Sequence, residues 1–215
     1  MVLVAAVVAL LALSKVGEDV MEGETTAFDA VVQAWMLHHQ SPPLATFFLW
    51  VTRLGGVTGM LILTACAGVF LWRREQRRVV PIIIVMPLVA VGCFSLAKSI
   101  YARPRPAGLG GVVPSSYAFP SGHATASAAI CCTLAYVFWR ERYVSGAVAV
   151  LFAIVIPLLI GFSRLYLNVH WATDVLGGWS GGALVAVLSA VLYKRLQQRM
   201  LREPDVSPSA PRPAQ

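Results

Sequence analysis

Apolar runs, each closed by a short polar or basic cluster, organise this chain from one end to the other. Met1 to Leu13 is wholly apolar, and a membrane helix running past Lys15 toward Val20 is predicted there. A signal peptide is the competing reading, but the stretch lacks a basic n-region and a clear A-x-A cleavage site. After the acidic segment Glu18 to Asp29, residues Phe28–His39 place Val31, Val32, Trp35 and Met36 at helical spacing. That pattern predicts an amphipathic helix lying at a membrane interface. Leu44–Trp50 and, beyond Gly55-Gly56, Val57–Trp72 read as a second span with a flexible entry, closed by Arg73, Arg74, Arg77 and Arg78.

Val79–Ala97 is a third span, with Lys98 at its far end, and Tyr101–Pro120 is a polar loop rich in Pro and Gly. Ala124–Trp139 is a fourth, ended by Arg140, Glu141 and Arg142; Tyr143–Phe162 is a fifth and Val175–Tyr193 a sixth. The sixth is followed by Lys194, Arg195, Arg199 and Arg202. The expected fold is therefore all-α: a polytopic membrane bundle of about six transmembrane helices, since a span needs about 20 apolar residues, with an amphipathic interfacial helix after the first. Residues 1–200 form one membrane-embedded domain, and the Pro- and Ser-rich segment 201–215 is expected to be a disordered cytoplasmic tail.

Composition supports the membrane reading. Of 215 residues, 58% are hydrophobic and 13% charged, and mean hydropathy is +0.72; soluble domains run to roughly 45–50% apolar and 25% charged. A net charge of +7 does not indicate nucleic acid, because the basic residues sit in short clusters between apolar runs and not along one polar face. Cys66, Cys93, Cys131 and Cys132 lie inside apolar runs without CxxC spacing, so neither a disulfide framework nor a metal site is indicated. His38 and His39 are adjacent and point to different sides of a helix, as surface histidines do. If spans two to six alternate, the basic clusters 73–78, 140–142 and 194–202 share one side, which the positive-inside rule makes cytoplasmic. A multi-pass protein of the cell membrane is expected, with a cytoplasmic C-terminus. The Lys98–His123 loop and the Ser163–Asp174 stretch then share the extracytoplasmic face.

Three polar groups meet on that face. In KSIYARPRP, Lys98 and Arg105 carry positive charge, with Arg103 as an extra cation. In FPSGHA, Ser121, Gly122 and His123 open a helix, whose unpaired N–H groups and positive dipole end suit a phosphate. In SRLYLNVHWATD, Arg164 offers a planar fork for phosphate oxygens, and His170 lies four residues before Asp174, so the two can touch on a helix face. A carboxylate on one imidazole nitrogen leaves the other free as base, nucleophile or ligand. Taken singly, each piece has a plainer account: Lys98 snorkelling, Arg103 and Arg105 meeting head groups, Ser121 capping its helix, His170 and Asp174 forming a structural pair. Together they place more ionisable chemistry on one membrane face than packing requires. The consistent assignment has Lys98, Arg105, Gly122 and Arg164 around a phosphoryl group, His170 as nucleophile oriented by Asp174, and His123 as proton donor to the leaving oxygen. Gly177, Gly178, Gly181 and Gly182 are assigned to close helix packing.

These residues resemble the type-2 phosphatidic acid phosphatase superfamily, which also contains the vanadium haloperoxidases and the glucose-6-phosphatases. Its motifs are K-x6-RP, PSGH and SR-x5-H-x3-D. Here they fall at Lys98 with Arg105-Pro106, at Pro120 to His123, and at Ser163-Arg164 with His170 and Asp174, with no departure at any motif position. The resemblance spans the central third of the chain. It implies a membrane lipid phosphatase in which His170 is phosphorylated, Asp174 is its partner and His123 is general acid and then base. Lys98, Arg105, Ser121, Gly122 and Arg164 would hold the phosphate, and no metal or other cofactor is needed for turnover. Expected substrates are lipid phosphates or diphosphates such as undecaprenyl diphosphate, phosphatidylglycerol phosphate or phosphatidic acid. The loop Gly108–Tyr117 and the helix Phe28–His39 are expected to shape the choice. Membrane lipids are the expected surroundings, and no obligatory protein partner is inferred. The rival readings are a lipid phosphotransferase using the same site and a polytopic transporter, whose ionisable residues would lie near mid-span.

Overall fold

The computed structural model describes residues 2–106 and 116–202, so most of the tail 201–215 and most of the loop Gly108–Tyr117 lie outside the described residues. Among the described residues the chain is all helical, with eight helices: α1 (Val2–Glu22), α2 (Thr26–His38), α3 (Pro42–Leu54), α4 (Val57–Arg73), α5 (Val80–Tyr101), α6 (Gly122–Arg140), α7 (Gly146–Tyr166) and α8 (Ala172–Arg202). Local chemistry explains their limits. Pro42 and Pro43 occupy the first turn of α3, where a missing N–H costs nothing. The Ser145 side chain accepts the Val148 N–H at the start of α7. Ala102 ends α5 in the left-handed region at φ 44°, which turns the chain into Arg103-Pro104-Arg105-Pro106, where proline blocks further helix.

Among the described residues, α5, α7 and α8 are each long and apolar enough to cross a membrane, and α3 and α4, bent by 50° at their junction, are so when taken together. The bend falls at Gly55-Gly56. A Cβ on Gly55 would collide with the Ile160 side chain, so glycine lets the end of α3 reach α7. α1 and α6 have 21 and 19 residues, respectively. α1 carries Lys15, Glu18 and Asp19 near its end, with Lys15 paired to Asp19 at 2.6 Å. α6 is the central helix: Ala124, Thr125, Ser127, Ala128, Ala129 and Cys131 are all buried. The outer faces of the long helices expose Val85, Leu88 and Leu96 of α5 and Leu151 and Ile154 of α7, which suits contact with lipid. All four cysteines are free.

The two ends of the bundle differ in chemistry. Arg74 lies over the Tyr143 ring, and Glu141 accepts from the Tyr193 hydroxyl and from Gln197. The three basic clusters therefore converge on one end, as alternation of the spans requires. The polar motifs occupy the other end.

α6 and α8 touch through small residues. A Cβ on Gly178 would come within 2.7 Å of the Ser121 carbonyl oxygen and 2.8 Å of the Ala124 methyl, and one on Gly182 within 2.6 Å of Ala128. This is small-xxx-small packing, in which the absent side chains allow the backbones to approach closely. Gly178→Ala is expected to destabilise the protein by about 1–3 kcal/mol through overpacking. Gly92→Ala, at a position in α5 with nothing within 4 Å, is the control and should change stability by no more than about 1 kcal/mol. Thermal unfolding in detergent checks this; equal midpoints for the two variants would remove the close-packing account.

The helix α2 keeps an exposed apolar side, as a helix lying at a membrane interface does. Of the four residues taken as its apolar face, Met36 is buried but Val31 and Trp35 are 70% and 53% exposed. The face toward the protein is shared by Asp29 and Met36, with Asp29 only 2% exposed. Burial of that carboxylate, not apolar periodicity, fixes how α2 is turned.

Candidate active site

The third motif is split between two helices. Ser163 and Arg164 end α7, a turn follows with Asn168 at φ 52°, and Asp174 lies in the first turn of α8. The expectation of one helix carrying both His170 and Asp174 is corrected accordingly: His170 precedes α8, and the Asp174 carboxylate reaches back to it. Asp174 Oδ2 meets His170 Nδ1 at 3.2 Å and accepts the Trp171 backbone N–H at 2.8 Å. Asp174 thus caps its own helix while it holds the imidazole.

Arg105 settles the tautomer. Its Nη1 lies 2.8 Å from His170 Nε2, and a guanidinium can only donate, so Nε2 accepts through its lone pair and Nδ1 carries the proton toward Asp174. The remaining Arg105 donors go to the Val169, Ser116 and Tyr117 carbonyls and to Ser116 Oγ. His170 is 4% exposed. Burial first, and then the charges of Arg105, Arg164 and Lys98, hold its ring well below the usual imidazole range.

Lys98, in the last turn of α5, donates to the Tyr117 and Ala118 carbonyls at 2.7 and 3.3 Å. Arg164 is largely buried; its Nη1 donates to Thr52 Oγ1 at 2.6 Å, while its Nε has no partner. Ser121 is fully buried and its backbone N–H donates to the Asp174 carbonyl at 2.9 Å. Its hydroxyl makes no capping bond and has no partner, so the Ser121 side chain is not spent on its helix. A Cβ on Gly122 would meet nothing within 4 Å, so the α6 N-terminus opens onto free space. His123 is electrostatically coupled to Arg164, His170, Arg105 and Lys98, and it lines a cavity of about 300 Å³ between α4, α5 and α6 with Met60, Leu61, Ile84 and Leu88.

All eight residues singled out in the sequence lie at this end of the bundle. Others were missed. Thr52 on α3 anchors Arg164. Arg103 joins Asp174 Oδ1 at 2.7 Å to Asp29 Oδ2 at 2.6 Å, and Thr173 donates to Asp29 through both its N–H and its hydroxyl. The one signal for Asp29 was its place as the single acidic residue in α2.

The three motifs and the fold find counterparts among known proteins. A family model described as the PAP2 superfamily matches residues 78–198. Phosphatidylglycerophosphatase B of Bacillus subtilis is 32% identical over 172 residues, covering 76% of this chain and 81% of its own. An undecaprenyl-diphosphatase of Sulfolobus acidocaldarius is 23% identical over 174 residues, covering 76% and 80%. The crystal structure of a transmembrane PAP2-type phosphatidylglycerolphosphate phosphatase from Bacillus subtilis superposes with a TM-score of 0.80 at 25% identity, covering 92% of this chain and 98% of that one. With apolar helices of span length and relatives of this kind, the molecule is a multi-pass membrane protein. From the match over residues 78–198 and the relatives' coverage, this chain belongs to the PAP2 superfamily.

Proposed function

We propose that this protein is a membrane phosphatase that removes the terminal phosphate of lipid phosphates or diphosphates, at the extracytoplasmic face, through a phosphohistidine on His170. One observation carries the reading: His170 presents the Nε2 lone pair to Arg105 while Asp174 holds its Nδ1 proton. An imidazole so oriented is a nucleophile beside a cation that is itself suited to phosphate. The names of the relatives, a phosphatidylglycerophosphatase and an undecaprenyl-diphosphatase, agree in substrate class. Clustering of Arg74, Glu141 to Tyr143 and Tyr193 to Gln197 at the opposite end supports a cytoplasmic C-terminus and an extracytoplasmic site.

The lipid head group enters between Lys98, Arg105 and Arg164, and its tail lies along the apolar cavity that ends at Gly122 and His123. Arg105 moves its hydrogen bonds from Nε2 to phosphate oxygens, which frees the lone pair. Nε2 attacks phosphorus, the bond from phosphorus to the leaving oxygen breaks, and His123 gives that oxygen a proton. In the second step a water oxygen attacks the phosphohistidine and loses its proton to His123. The P–N bond then breaks, and inorganic phosphate leaves with Nε2 restored. Ser121 and the N–H groups that open α6 face the developing charge on the phosphoryl oxygens.

The test is phosphate release by purified protein from undecaprenyl diphosphate, phosphatidylglycerol phosphate and phosphatidic acid, with and without EDTA. Release from at least one lipid, undiminished by the chelator, is expected. Activity lost in EDTA and restored by a divalent ion would overturn the metal-free chemistry. Accumulation of a new phospholipid in place of free phosphate would make the protein a phosphotransferase.

A further inference from the structure

The groups that surround Asp174 form a connected set that the chemistry above does not use. Asp174 is fully buried, and its Oδ1 is held by Arg103 Nη1 at 2.7 Å. Arg103 spends its other end on α2: Nη2 lies 2.6 Å from Asp29 Oδ2 and 3.3 Å from Thr25 Oγ1. Thr173, next to Asp174, donates to both Asp29 oxygens, at 2.9 Å from its N–H and 2.7 Å from its hydroxyl. The same helix is tied to the nucleophile turn elsewhere: Gln33 donates to Asn168 Oδ1 at 3.0 Å, and Gln40, just beyond the helix, donates to the Tyr166 carbonyl at 2.9 Å. Trp171 closes the other side by donating from Nε1 to the Pro104 carbonyl at 2.9 Å. A buried carboxylate pair sharing one guanidinium is a costly arrangement, and removal of one member strands the others.

We infer that Arg103 and Asp29 are positioning residues for the His170–Asp174 pair, and that α2 is the brace which holds them. Arg103 fixes one Asp174 oxygen and supplies a partly buried counter-charge, so that the other oxygen stays on His170 Nδ1. Asp29 fixes Arg103 in turn, from a helix whose opposite face exposes Phe28, Val31 and Trp35. Both Arg103 terminal nitrogens are engaged within this set, so it makes no claim on the phosphate. Its loss should therefore change turnover and leave binding alone.

This inference rests on His170 being the nucleophile, and the experiment separates the two. Arg103→Lys keeps the charge but cannot hold Asp174, Thr173, Asp29 and Thr25 together, because a single ammonium lacks the fork. Arg103→Lys and Asp29→Asn are each expected to lower kcat by about 10–100-fold, by analogy with the loss of outer partners that orient metal-bound histidines. KM and competitive inhibition by inorganic phosphate should stay within about twofold. Arg103→Ala should be worse than Arg103→Lys, and a variant of Arg103 that does not fold leaves Asp29→Asn as the decisive case. Unchanged kcat in Arg103→Lys and Asp29→Asn, or a matching loss of phosphate binding, would overturn the positioning role. His170→Ala is measured beside them: phosphate release surviving there removes the nucleophile assignment itself, whereas an inactive His170→Ala with unimpaired Arg103 variants removes only the brace.

Discussion

His170→Ala is expected to release no phosphate above background from any lipid that the native protein accepts, a loss on the order of 10⁴-fold or more. The size follows from the role: the residue supplies the electron pair of the new bond, and its removal leaves only binding and cation stabilisation. Its neighbours prepare that electron pair. Asp174 takes the Nδ1 proton and Arg105 faces Nε2, so the lone pair is presented toward the cationic pocket. Because burial and the nearby cations hold the ring well below its ordinary range, the neutral form persists in mildly acidic solution. Protonation removes the nucleophile, and a lowered pKa places that loss at lower pH. Phosphoenzyme formation should therefore keep its rate as pH falls through about 6.5, where an ordinary imidazole is half protonated. Rapid-quench trapping of the phosphoenzyme measures both effects. A burst of labelled protein in His170→Ala would reassign the nucleophile, and a rate halved near pH 6.5 would show that the ring titrates as though exposed.

Much of this site was legible because its chemistry is concentrated in short segments. Lys98, Ser121 and Arg164 stand out as polar residues at or near the ends of apolar runs, with Arg105 in the loop between two of them and Gly122 at a helix start, and alternation of those runs places them on one face. The basic clusters near Arg74, Arg140 and Lys194 gave the same answer from the opposite end, where Arg74 meets Tyr143 and Glu141 meets Tyr193. What the sequence hid depends on long-range pairing. Asp29 and Arg103 are 74 positions apart and Thr52 and Arg164 are 112 apart, and no periodicity links such pairs. The inward face of α2 was hidden for the same reason. Hydrophobic spacing predicts which face is apolar, but in a membrane protein an apolar face can be satisfied by lipid, so a buried ion pair can turn the helix the other way. The capped start of α8 was not legible, since four residues bring His170 and Asp174 together either on one helix or across a capped helix start.

That capped start makes Asp174→Asn the most informative single change. The substitution is nearly isosteric and should leave the bundle folded, yet it is expected to slow phosphoenzyme formation on the order of 10⁴-fold, the effect of an Asp→Asn change that imposes the wrong tautomer in a hydrolytic triad. Asp174 accepts three kinds of donor: His170 Nδ1–H and the Trp171 N–H at Oδ2, and Arg103 at Oδ1. An asparagine has one oxygen to offer. If that oxygen faces Arg103, the amide N–H₂ meets His170 and the Trp171 N–H. The imidazole must then accept at Nδ1 and carry its proton on Nε2, where the lone pair is needed. If the amide is reversed, N–H₂ confronts the Arg103 guanidinium in a buried site, and two donors are left facing one another. Either orientation also leaves Arg103 with Asp29 as its one carboxylate partner among the described residues. KM should change little, because Asp174 is fully buried and its oxygens are committed to protein donors, so the loss belongs to kcat. Burst kinetics with saturating lipid separate these outcomes. A variant within about tenfold of the native rate would show that Asp174 is a helix cap alone, and that His170 is oriented by some other group.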